Sequence, residues 1–117
     1  MENARKERLQ AGGIQVEEAL ARLMGNEALL ERLLHKFLAD PHFGQLCAAL
    51  EAADAEAALE ASHTLKGLCG NLSMLQLYGL FSRQVEALRS GDWDGAMELM
   101  PRIRAGYAAV VGAIEEA

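Results

Sequence analysis

"ASHTLKGLCGNLSM", residues 61–74, decides how this chain is read. With Ala58 just upstream, Ala61, Leu65, Leu68 and Leu72 recur at intervals of three and four. That rhythm makes one apolar seam on a helix and turns it towards a helical interior. At about 100° per residue, His63 falls roughly 180° from the middle of the seam. Leu59, His63, Gly67 and Gly70 then form a line on the outer side, with Lys66 beside it. Each glycine costs a helix about 1 kcal/mol relative to alanine, so two in consecutive turns need a compensating use. A bare surface one turn after the histidine lets another protein's backbone approach the imidazole. Lys66 puts an ammonium where it can meet an anion attached to the ring. Two plainer readings stay open on periodicity alone: a solvated histidine with no role, and a Gly67 that lets two bundle helices close on each other.

Working outward, the same periodicity gives an all-α chain. "IQVEEALARLMGNE" predicts a short helix over about 14–24, stopped by Gly25-Asn26, with Asn26 as the next N-cap. Leu29, Leu30, Leu33, Leu34, Phe37 and Leu38 make a wide apolar stripe, and the apolar pattern resumes after Pro41, which permits two helices or one kinked helix, the kinked helix over 27–52 being the expectation. Asp54 caps a helix over about 55–72, and a further helix over 74–90 ends at Ser90-Gly91. Asp92 or Asp94 opens a last helix to about 115, bent at Pro101. Short connections make neighbours antiparallel, so the expected architecture is an up-down-up-down four-helix bundle with a short extra N-terminal helix. Residues 1–13 are polar, end in Gly12-Gly13 and are read as a tail outside the core, leaving one domain over 14–117.

Composition limits the partners. The formal charge is −6 with no basic stripe, which argues against nucleic acid and against an anionic membrane surface. No apolar run approaches the ~20 residues that span a bilayer. The first residues lack the apolar centre of a signal peptide, so a cytoplasmic location is the expectation. Cys47 and Cys69 form no CxxC pair and read as small core residues. His35 and His42 lie seven apart around Pro41 and match no metal-ligand spacing, so no metal is expected. Trp93 reads as a packing anchor and the five methionines as core filler.

The stretch "SHTLKGLCGNLSM" resembles the signature of histidine-containing phosphotransfer (HPt) domains, roughly H-x-L-K-G, small residues, then Asn-x-Gly. The match covers His63, Leu65, Lys66, Gly67 and Asn71, and the likeness extends over nearly the whole chain. "LARLMGNEALLERLLHKFL" resembles the entry to the family's first long helix. "QVEALRSGDWDGAMELMPRI" resembles its final pair of helices and the acidic turn between them. One position departs: Ser73 stands where the family usually has glycine, near the helix end and away from the histidine.

The resemblance implies that His63 carries a phosphoryl group, taken from the aspartyl phosphate of a response-regulator receiver domain and passed to another receiver. It implies that Lys66 stabilises charge on the phosphoryl oxygens and that Gly67 leaves room for phosphate and partner. Asn71 would cap the helix or bridge to a neighbour. A hybrid histidine kinase is a further implied partner. The chemistry is consistent with this. Imidazole titrates near pH 6.5, so much of it is a neutral nucleophile at pH 7. Phosphoryl transfer rests mainly on positioning and charge neutralisation. The receiver's acidic pocket and its Mg²⁺ supply much of both, so no cofactor is expected on this chain. No Walker A or kinase glycine-rich loop is present, so the expected protein is a monomeric phosphocarrier and not a kinase. Leu59 is a candidate partner anchor, with Gly70 beside it, an ordinary exposed leucine being the plainer reading. Phe37, Asp40 and Phe43 are candidates to flank the site, although the two aromatics read first as core residues. Arg83 and Gln84 are candidates to reach the histidine's surroundings. The alternative function is a helical module that docks a receiver or kinase and blocks transfer without carrying phosphate.

Overall fold

The computed structural model describes residues 1–116 and contains, among these, helices and no strands. Eight helical segments follow one another: α1 Asn3–Ala11, α2 Val16–Arg22, α3 Glu27–Leu38, α4 His42–Glu51, α5 Ala55–Asn71, α6 Leu75–Arg89, α7 Trp93–Glu98 and α8 Met100–Glu115. Asn26, Asp54 and Asp92 each accept a hydrogen bond from the backbone N–H three residues on, which starts α3, α5 and α7. The heaviest packing joins α5 to α6 and α4 to α5, with α8 closing the bundle against α1, α3 and α6. The core is aliphatic: Leu30, Leu34, Leu46, Leu65, Leu77, Phe81, Ile103 and Ile114 are all fully buried.

Both prolines act differently from the expectation of bent continuous helices. The stretch 27–52 is two helices, α3 and α4, separated at Ala39–Pro41. Asp40 completes the break: its Oδ1 accepts from the His42 backbone N–H at 2.9 Å and lies 2.8 Å from His42 Nδ1. A side chain thus satisfies a donor that the first turn of α4 would otherwise leave orphaned. Pro101 sits in the first turn of α8, where a missing N–H costs nothing, so it starts a helix after the one-residue step at Leu99.

The expected tail is also part of the fold. Residues 3–11 form α1, and its Leu9 is fully buried. Composition hid this because α1 buries one side chain and holds the rest by charge. The Arg5 guanidinium spans Glu31 of α3, with Nε to Oε2 at 3.0 Å and Nη2 to Oε1 at 2.9 Å. Its Nη1 donates to the carbonyls of Ala113 and Glu116 beside α8. The hydrogen bond from Arg5 holds the Glu31 carboxyl below the ordinary 4.5. A lowered carboxyl pKa gives stability that is present above the unfolded value and lost as pH falls through the folded one. Between pH 6 and pH 3, the thermal midpoint of Glu31→Gln should therefore fall less than that of the parent. Parallel curves would show that the pair contributes nothing.

Two smaller expectations change. Along α5 the buried face runs through Ala58, Ala61, Leu65, Cys69 and Leu72, with Leu68 only half-buried. Burial pushes the Cys69 thiol up to about 12, so it stays protonated and unreactive. Met74 and Met100 fill the core, whereas Met24 is 96% exposed and Met97 40%.

Candidate functional site

A buried hydrogen bond fixes the rotation of α5. Ser62 is fully buried, and its Oγ donates to Gln84 Oε1 at 2.8 Å. Gln84 Nε2 donates to the Ala96 carbonyl at 3.1 Å and contacts Met100 Sδ. This network ties α5 to α6, α7 and α8 with every member satisfied, which rigidifies the bundle. It also corrects the expectation for Gln84, which faces inward, away from the histidine's surroundings. With Ser62 locked inward, the next residue turns by about 100° and His63 stands on the exposed face. No side chain among the described residues hydrogen-bonds to the His63 ring.

A shallow depression of about 450 Å³ opens beside His63 towards the end of α5. Lys66, Gly67, Gly70 and Asn71 line it from α5, Leu75 and Tyr78 from α6, and Arg22 from α2. A methyl group at Gly67 would meet nothing within 4 Å, so this position is open to solvent. Gly70 is different: a Cβ there would come to 3.0 Å from Tyr78 Cδ1 and Cε1. The space that sequence assigned to a visitor at Gly70 is taken by the Tyr78 ring. Lys66 Nζ lies 6.0 Å from the centroid of that ring, at the outer reach of a cation–π contact.

On the other side of His63, Glu56, Leu59, Glu60, Thr64 and Arg89 line a second depression of about 300 Å³. Leu59 packs partly on the core and partly faces this hollow. Asn71 marks the edge of the site. Its backbone carbonyl accepts from Arg22 Nη1 at 3.1 Å, and it borders a separate hollow between α3 and α5 where Phe37 and Asp40 lie. Neither Phe37 nor Asp40 lines the His63 depressions, and Phe43 is stacked on Tyr107 at 3.9 Å. Arg83 is absent from both depressions as well.

Sequence reading missed Arg22, Leu75 and Tyr78 on one side of His63, and Glu56, Glu60, Thr64 and Arg89 on the other. The two on α6 near Gly70 left a signal. Leu75, Leu77, Tyr78, Leu80 and Phe81 are too many apolar residues for one core stripe, and the surplus is what stays outside, Leu75 at 44% and Tyr78 at 40% exposure. Arg22 left none, because its place depends on how α2 docks against the end of α5.

The arrangement offers a ring with both nitrogens free, a nearby ammonium, open space and a partly apolar rim. A family model for the Hpt domain matches residues 29–113, from α3 to near the end of α8. Neither a curated protein nor a solved structure matches the chain significantly. No helix among the described residues is long and apolar enough to cross a membrane. The helical bundle and the family match together place this chain in the Hpt domain family, whose members carry phosphoryl groups on histidine in phosphorelays and work with receiver domains and kinases.

Proposed function

We propose that His63 is the phosphoacceptor and that the chain relays a phosphoryl group between receiver domains. The observation that carries this is the exposure of His63 on α5, beside Lys66 and the open position at Gly67. A lone pair on a neutral ring nitrogen attacks the phosphorus of an aspartyl phosphate. The P–N bond forms as the P–O bond to the aspartate breaks, and the electron pair leaves on the carboxylate. The back reaction onto a second receiver reverses these roles. Lys66 sits one turn from His63 and offsets charge on the phosphoryl oxygens. No carboxylate pairs with it among the described residues. The Mg²⁺ that assists the step belongs to the receiver, and this chain contributes only position and charge. Leu59 on one side, and Leu75 and Tyr78 on the other, give the partner apolar contacts around the ring.

The test is incubation with a panel of phosphorylated receivers. The protein should gain a label that is acid-labile and base-stable. A protein that binds a receiver tightly yet takes no label is the blocking module instead.

Gly67 provides a check with opposite signs. Nothing crowds the position, so Gly67→Ala should stabilise α5 by up to about 1 kcal/mol. The same methyl narrows the approach to the ring and should slow transfer. A variant that is both more stable and equally fast would remove Gly67 from the site.

A further inference from the structure

The end of α5 has a feature that the family pattern does not contain. Met74 N donates to the Cys69 carbonyl at 2.9 Å and Ser73 N to the Gly70 carbonyl at 3.2 Å, which is the hydrogen bonding of a Schellman turn. Such a turn needs one left-handed residue, and Ser73 has φ +54°. Glycine is the usual occupant, because a side chain there is strained. Here the side chain is fully buried and bonded. Ser73 Oγ accepts from Arg22 Nη1 and donates to Glu18 Oε1 at 3.1 Å. Arg22 Nη2 donates to the same carboxylate oxygen at 2.6 Å. The strained serine therefore clamps α2 to the end of α5 and brings the Arg22 guanidinium to the wall of the His63 depression.

We propose that Arg22 is a docking residue for the phosphodonor protein, binding carboxylates on the donor's acidic face, and that Ser73 holds it in position. This rests on the reading of His63 as phosphoacceptor. Three of the five guanidinium hydrogens are used, by the Asn71 carbonyl, Ser73 and Glu18, which leaves the Nε–H and one Nη2–H for a partner. The side chain is 42% exposed, so these groups are reachable. The protein carries a net charge of −6, and a second acidic surface will not approach it without local cations. The depression supplies the Lys66 ammonium beside the histidine and, at the far end, the Arg22 guanidinium, whose charge Glu18 offsets in part and whose free N–H groups still offer directed donors. Arg22 precedes residues 29–113, so it lies outside the part that matches the family model. It is a residue by which this chain can select among donors that share the same phosphoaspartate chemistry.

The experiment uses the receiver that loads the full chain fastest in the panel, with rates measured against its concentration. Arg22→Gln should raise the half-saturating concentration about 3–10-fold and weaken its salt dependence, with the saturated rate within about 2-fold. Arg22→Lys should restore part of the loss. Ser73→Gly relieves the left-handed strain but removes the buried hydroxyl that holds Arg22, so its half-saturating concentration, measured well below its thermal midpoint, should rise, and an unchanged value overturns the role given to Ser73. An Arg22→Gln protein that loads with unchanged half-saturation overturns this proposal and leaves the phosphoacceptor reading standing. So does one whose saturated rate falls while half-saturation stays fixed. A parent chain that no receiver loads overturns both.

Discussion

His63→Gln gains no acid-labile label from any phosphorylated receiver, while its thermal midpoint stays where the parent's is. The two halves of this expectation have separate physical grounds. Glutamine resembles histidine in polarity and size, but its amide nitrogen lone pair is delocalised and forms no phosphoramidate under these conditions. The loss should be complete rather than partial, because no other group at the depression can form the P–N bond. Lys66 is near enough to offset charge, but an ammonium carries no lone pair at neutral pH. Stability is untouched because the ring is exposed and no side chain among the described residues bonds to it. Substitutions of that kind stay within about 0.5 kcal/mol. Lys66→Ala is the graded companion: the nucleophile remains, and the saturated rate should fall about tenfold or more, equal to roughly 1.4 kcal/mol of barrier. If His63→Gln still takes label, the acceptor is another residue. His35 on α3 and His42 on α4, the other two histidines of the chain, are then the residues to replace.

The parts of the site that sequence made legible are those that depend on one helix. The period along α5 put Leu65 inside and His63 outside, and it placed Lys66 and Gly67 beside the ring, because all of them share one cylinder. What lay between helices was not legible. Gly70 has the same composition-level reading as Gly67, yet one faces open space and the other the Tyr78 ring. The difference comes from α6 packing across α5, and no spacing within α5 encodes it. Gln84 misled for the same reason: a polar residue on a helix reads as exposed, whereas a buried Ser62 partner made its burial affordable. The prolines misled in a third way. Apolar periodicity continued through Pro41, and only the Asp40 side chain, bonding back to His42, marked the break.

Leu9→Ala should cost about 2–5 kcal/mol, the range for emptying a fully buried leucine site. A domain of this size has a total of about 5–15 kcal/mol, so the loss is a large fraction of it. The thermal midpoint should fall by roughly 8–20 °C. A polar tail, as composition reads residues 1–13, predicts no measurable change, so the two pictures differ by many times the error of a melting curve. The structure favours the large value because α1 has no second apolar anchor to share the load. Leu9 is its one buried residue, and the rest of its side-chain attachment is polar: Arg5 on Glu31 and on the carbonyls of Ala113 and Glu116, Lys6 on Glu17 and Arg8 on Glu116. Backbone packing adds to this: a methyl at Gly12 would overlap the Ala113 side chain and come to 2.9 Å from the Ala109 carbonyl, so the end of α1 lies directly on α8. Phosphoryl uptake by Leu9→Ala, measured well below its midpoint, should match the parent, because Leu9 lines none of the hollows around His63. A midpoint unchanged by Leu9→Ala would mean that α1 is not docked in solution, and Arg5→Ala would then be silent as well.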